Sequence, residues 1–132
     1  MGTKFDLLGL FVRDLPAMVA FYRDVLGLDI DWDGVGPYAE FRHAGIRFSM
    51  FERKALPGIL GRTPDYPARL NGTFELAVNV GDPKNVDPKF REIVSRGGRE
   101  IYPPRDEPWK MRSAMIADPE GNLVEIASDF WE

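Results

Sequence analysis

The chain has 132 residues, 44% of them hydrophobic and 29% charged, with a formal net charge of −4. That composition describes one compact globular domain long enough to bury a core. A mildly acidic balance with no basic run argues against a nucleic-acid face, and the absence of cysteine excludes disulfides and thiolate metal sites. No apolar run approaches the roughly 18 residues of a membrane span.

The start, "MGTKFDLLGLF", lacks the basic lead, apolar block and small-residue cleavage site of a signal peptide, and Asp6 stands where myristoylation requires Ser or Thr. Cytoplasm is therefore the expected location. "LLGLFVRD" reads as a strand ending at Asp14, a good N-cap for the helix that follows. In that helix Pro16 is tolerated in the first turn, Met18, Phe21, Tyr22, Val25 and Leu26 form one apolar stripe, and Gly27 supplies the stop. "LDIDWD", "PYAEFRH" and "GIRFSMFE" then read as three strands joined by short turns. His43, the sole histidine, falls in the turn "RHAG" and is expected to face solvent.

"KALPGILGRTPDYPARLNG" is rich in Pro and Gly, has no clean period and reads as a linker. The pattern then restarts. "ELAVNVGD" superposes without a gap on "LLGLFVRD", Glu75 on Leu7 and Asp82 on Asp14. A second helix follows in "VDPKFREIVSRGG", with Asp87 as expected cap, Pro88 first in the helix, a stripe of Val86, Phe90, Ile93 and Val94, and Gly97 or Gly98 as the stop. "REIYPP", "RSAMIAD" and "NLVEIAS" complete three further strands, with "DPEG" (Asp118 to Gly121) as a structural turn before the last. Such a repeat outranks any single local assignment. The expected fold is α+β: one domain over 1–132, built from two βαβββ modules (4–53 and 73–129) joined by a linker (54–72). Together they would form a curved eight-stranded mixed sheet around a cup, with the helices outside.

A doubled βαβββ unit carrying "FVRDLPAMVAFYRDVLGL" and "DPEGNLVEI" resembles the vicinal oxygen chelate superfamily of glyoxalases, bleomycin and fosfomycin resistance proteins and extradiol dioxygenases. The resemblance spans nearly the whole chain. It implies the fold and the place of a site, while function resides in the site itself. Metal enzymes of this superfamily place His or Gln on the first strand of a module and Glu on the last. The resemblance carries those positions onto Leu7 and Arg47 in the first module and Glu75 and Glu125 in the second.

None of the four is histidine. If a divalent metal such as Mg, Mn, Ni or Zn is bound, Glu75 and Glu125 would hold it. Arg47 in the same set can replace the metal's charge by bridging carboxylates, so no metal cofactor is expected. Two carboxylates on neighbouring strands also suit acid–base work, which makes Glu75 and Glu125 the candidate catalytic pair. Strand alternation puts Arg47, Ser49 and Phe51 on one face, and Asn79 on the face of Glu75. The stiff loop "YPPRDEPWKMRS" resembles that of bleomycin resistance proteins, which implies for Trp109 a place in the ligand cup or a dimer contact, against a plain lid on the core; Tyr102 fits a ligand wall or the core, and Arg112 pairs either Glu107 or a bound anion. Trp32 and Tyr38 fit a cup wall or an ordinary core equally.

Two functions follow as expectations. One is a metal-independent protein that sequesters an aromatic or cationic small molecule in the cup, as bleomycin resistance proteins do. The other is a lyase or isomerase of the same superfamily, using Glu75 and Glu125 with or without a divalent metal. A third possibility is an accessory binding domain without chemistry of its own. The resemblance implies a homodimer, and a small molecule as the partner.

Overall fold

A computed structural model describes residues 2–132. The chain divides into two compact units, Met1–Tyr66 and Pro67–Glu132.

In the first unit β1 (Leu7–Val12) runs parallel to β3 (Arg47–Glu52), which pairs antiparallel with β2 (Tyr38–Phe41), giving the order β1-β3-β2. Alternation sorts the side chains. Leu10, Val12, Ala39, Phe41, Phe48 and Met50 are buried toward the helix side, whereas Leu7, Gly9, Phe11, Tyr38, Glu40, Arg47 and Phe51 fall on the opposite face. Helix α1 (Leu15–Ala20) starts as the sequence implies, with the Asp14 carboxylate accepting from the Ala17 N–H at 3.0 Å. It runs on through a wider π-type turn, Phe21–Val25, in which Leu26 N–H reaches the Phe21 carbonyl at 3.0 Å. Gly27, at φ +83, then ends it. The widened turn carries Tyr22, 1% exposed, into a cluster with Phe21, Phe41 and Phe48 at ring separations of 5.5–6.2 Å.

One expected strand is reduced to a single bridge. "LDIDWD" pairs only through Asp29 and Arg42, so the two sheets hold seven strands among the described residues, not eight. Carboxylates on alternate residues explain this. Arg42 gathers Asp29 and Asp31, and Asp33 accepts from the Val35 N–H, so this stretch bonds through side chains where a strand would use its backbone. The linker is less bare than its composition suggests. A short turn (Arg53–Ala55) and α2 (Leu56–Leu60) occupy its start, anchored by buried Leu56 and closed by Gly61 in the left-handed region.

In the second unit the strands are β4 (Asn71–Asn79), β5 (Arg99–Glu107), β6 (Met111–Ala117) and β7 (Asn122–Ala127), in the order β4-β7-β6-β5. Again the first strand lies parallel to the last. Helix α3 (Val86–Ser95) packs on β5, β6 and β7 and buries Val86, Phe90 and Ile93. Asp87 is not its cap. Asp82 accepts from Lys84 N–H at 3.0 Å and opens a short turn, Pro83–Asn85, that feeds the helix one turn early. Asp87 instead receives two N–H donors from Arg112, at 2.7 and 3.0 Å. No helix among the described residues is long and apolar enough to cross a membrane.

The turn between β6 and β7 is held by one buried side chain. Asp118 Oδ1 accepts from the N–H groups of Glu120 and Asn122 at 2.9 and 3.0 Å, and Oδ2 from Asn122 Nδ2 at 2.8 Å. Gly121 sits at φ +87, and a Cβ there would run into the Arg69 carbonyl. Gly121→Ala should therefore cost about 2 kcal/mol or more, from the left-handed backbone and the collision together. Urea unfolding checks this: an unchanged midpoint would refute it.

Candidate functional site

The face of the β4-β7-β6-β5 sheet turned away from α3 carries the polar cluster. Register fixes it. Val124 and Ile126, both fully buried, lie on the helix side with Ala114 and Ile116, so Glu125 must point the other way. Across the sheet Ala77, Glu125, Met115 and Tyr102 form one rung, and Glu75, two residues before Ala77, shares the face. Glu125 is thus set on an interior strand, with an apolar floor (Met115, Ala77) on either side.

Glu125 is part-buried, and among the described residues no side-chain donor reaches it. Its carboxyl is raised above the ordinary value, first by loss of water and then by the negative charges of Glu75 and Glu107. Glu107, 7% exposed, is the opposite case. Arg105 Nε reaches its Oε1 at 2.6 Å and Ser113 Oγ donates to the same oxygen at 3.0 Å. Arg105, against the effect of burial, holds the Glu107 carboxyl below the ordinary range, with a smaller contribution from Ser113. Tyr102 hydroxyl lies 3.1 Å from Ser113 Oγ, and the Arg105 guanidinium stands 3.8 Å over the Tyr102 ring. Burial in turn raises the Tyr102 phenol.

In the first unit Arg47 lies on the face expected for it, but its partners are its neighbours. It forms a fork onto Glu40 at 2.8 and 3.0 Å and reaches Asp6 at 3.1 Å. Those bonds hold the Glu40 carboxyl down at about 2, Arg47 being the first cause and the Tyr38 hydroxyl the second. The expectation that Arg47 neutralises Glu75 or Glu125 gives way to this local pairing. Leu7 and Phe51 share that face.

Other expected site residues are placed differently. Arg112 lies on the helix side of β6, locked between Asp87 and Asp106, because residues alternate with Ser113; it holds the hairpin to α3 and faces no ligand surface there. Asn79 spends its amide on Asp129 at 3.0 Å and on the Gly81 N–H at 2.7 Å, closing the end of β4. Trp109 occupies the tip of the β5–β6 turn and is 54% exposed, next to Lys110 at φ +67. Trp32 Nε1 bonds the Val35 carbonyl at 3.2 Å within its own turn. His43 is exposed, as its turn position implies, with Nδ1 at 3.3 Å from the Ile46 carbonyl. Sequence reasoning missed Glu40, Arg105 and Ser113, and named Glu107 only as a partner for Arg112, which pairs instead with Asp87 and Asp106. Alternation along "YAEF" could have placed Glu40 beside Arg47, but the irregular β5–β6 register hid the grouping of Arg105, Glu107 and Ser113.

Among the described residues no three His, Asp or Glu side chains gather closely enough to hold a metal ion. The donor chemistry agrees. The positions where metal enzymes of such a fold carry ligands hold an alkyl group (Leu7), a guanidinium already paired (Arg47) and two carboxylates, with no imidazole. These residues do not fit a transition-metal centre.

Two units, one βαββ with an added bridge and one βαβββ, each with its first strand parallel to its last, define a glyoxalase-type α+β fold. The chain matches the model of the Glyoxalase/Bleomycin resistance protein/Dioxygenase superfamily over residues 4–126, and it belongs to that family. It is 30% identical over 120 residues to the uncharacterized protein YraH of Bacillus subtilis, covering 89% of this chain and 91% of that one. A glyoxalase/bleomycin resistance protein/dioxygenase from Nocardioides superposes with a TM-score of 0.80 at 23% identity, over 98% of this chain and 85% of the other. Lactoylglutathione lyase from Agrobacterium tumefaciens superposes with a TM-score of 0.67 at 21% identity, over 97% and 95%. At such identities the superpositions show the fold alone.

Glu125 gives a pH signature with a definite sign. A carboxyl whose folded value lies above its unfolded one stabilises below the unfolded value and loses that contribution as pH rises through the folded value. Glu125→Gln should therefore gain stability over the wild type as pH climbs above the ordinary 4.5, and match it at lower pH. Denaturation midpoints at pH 4 and pH 8 test this; a variant less stable at pH 8 would contradict it.

Proposed function

We propose that the protein is a metal-independent small-molecule-binding protein of the glyoxalase and bleomycin-resistance type, which holds its ligand against the Glu125 face of the second unit. One observation carries this reading. Glu125 is a part-buried carboxylate on an interior strand to which no described side chain donates, bordered by Met115 and Ala77, with Tyr102 beyond Met115 on the same rung. A carboxylate deprived of water and of a protein donor is costly to keep, and a ligand N–H or O–H would relieve that cost. The apolar floor beside it suits the body of a small organic molecule. The poor fit of the residues to a metal supports a ligand held by protein groups alone.

A second reading rests on the raised Glu125 carboxyl. A group that gives and takes protons nearer neutrality is suited to general acid–base catalysis. In a lyase or isomerase, Glu125 would move a proton at the carbon beside a carbonyl, with Glu75 as its partner acid or base. The related fold of lactoylglutathione lyase keeps this alternative in play. We further propose a homodimer in the cytoplasm.

Chelator-dialysed protein should show a ligand-dependent rise in melting temperature against a panel of metabolites and antibiotics, by about 2.7 kcal/mol of stabilisation at a hundredfold excess over Kd. Glu125→Gln should abolish the rise. Recovery of the ligand intact supports sequestration; recovery of an isomer or a cleaved product supports the enzyme. A shift that survives Glu125→Gln undiminished would remove this face as the site, and one that needs added divalent metal would remove metal independence.

A further inference from the structure

The Tyr102–Ser113–Glu107–Arg105 chain has a direction that follows from counting protons. Arg105 can only donate, and an ionised carboxylate can only accept. Glu107 is held ionised by Arg105, so the Ser113 hydroxyl gives its one proton to Glu107 Oε1, at 3.0 Å. Ser113 Oγ, 3.1 Å from the Tyr102 hydroxyl, is left only as an acceptor. Tyr102 must then donate toward the sheet. Its phenol keeps its proton, since burial raises it.

The consequence appears on the rung Tyr102–Met115–Glu125–Ala77. Tyr102 and Glu125 sit two strands apart, about 10 Å between backbones at the usual strand spacing, with Met115 between them. The charged groups facing Glu125 within the unit are Glu75 from β4 and Glu107 from β5; β6 brings Met111, Ser113, Met115 and Ala117 to that face, none of them charged. Arg105 is engaged with Glu107 and with the Tyr102 ring. Among the described residues of this unit no side-chain hydrogen bond is donated to Glu125, and the one bond Arg105 makes on this face, from Nε, goes to Glu107.

We propose that Ser113 and Glu107 determine ligand specificity: by committing the Tyr102 proton inward, they leave the phenol oxygen and the Glu125 carboxylate as two acceptors, and so select an apolar-bodied ligand with N–H donors over one with a carboxylate. This rests on the Glu125 face being the binding site. It adds the chemical class, an amine or amidine, and names two residues that need not touch the ligand.

Benzamidine and benzoate, which share a ring and differ in hydrogen-bond polarity, are suitable probes. In NMR titrations of the full chain, benzamidine should move the Glu125, Met115 and Tyr102 resonances and bind at least about tenfold tighter than benzoate. In Ser113→Ala the Tyr102 hydroxyl is released to donate outward, and the preference should shrink severalfold. Tyr102→Phe, which keeps the ring and loses the oxygen, should weaken benzamidine and leave benzoate unchanged; it decides the matter if Ser113→Ala fails to fold by circular dichroism. Benzoate bound on the same resonances as tightly as benzamidine would overturn the polarity argument and leave the binding site standing, as would a preference unaltered in the variants that fold. Neither probe disturbing those resonances would overturn both the site and its polarity.

Discussion

Each unit depends on the parallel pairing of its first strand with its last. β1 lies against β3, and β4 against β7, so the chain must leave the sheet, build a helix and return before its opening strand finds a partner. This arrangement puts the final strand in the interior of the sheet. Leu76 and Val78 stand beside Val124 and Ile126 on the helix side, and the same register aligns Ala77 with Glu125 on the other face. A slip of one residue would send Glu125 into the apolar layer under α3. The helix, the apolar stripe and the site are therefore consequences of one register.

Electrostatics divides the two units. On the first sheet every carboxylate near the guanidinium is answered: Glu40 and Asp6 share Arg47, and the face is balanced from within. On the second sheet the available cation, Arg105, goes to Glu107 and not to Glu125. Two carboxyls near each other thus move in opposite directions, one down by donors from Arg105 and Ser113 and one up by loss of water. Being on an interior strand fixes Glu125's surroundings; the ion pairs next door decide its charge. The same site position could serve quite different chemistry with a different set of neighbours.

The fold was legible because its signals are local and repeated. Asp14 caps as read, the stripe of Met18, Phe21 and Tyr22 is buried, and "DPEGN" makes its turn through Asp118. Glu125 was legible through its place between Val124 and Ile126. What failed was everything set by a partner far along the chain. Asp87 has the look of a cap, but its fate depends on Arg112, in another strand. Asn79 looks like a site residue until Asp129 comes beside it. Asp29 and Asp31 leave their segment as little more than a bridge because Arg42 gathers them. Composition and periodicity report which face a residue takes; they do not report which of several charges will claim a given arginine.

The pairing of β4 with β7 also has a meaning in time. During synthesis β4 is the first strand of the second unit to emerge, and its strand partner among the described residues, β7, emerges last of the four. Until Ala127 has left the ribosome, the backbone groups of Glu75–Asn79 have no ladder, and the rung that carries Glu125 does not exist. The β5–β6–β7 hairpins can close by local contacts, while β4 must wait for a loop of some fifty residues to shut, which is the slow kind of event in folding. The strand bearing Glu75 is thus an open edge for most of the second unit's synthesis, and the site is the last thing that unit makes.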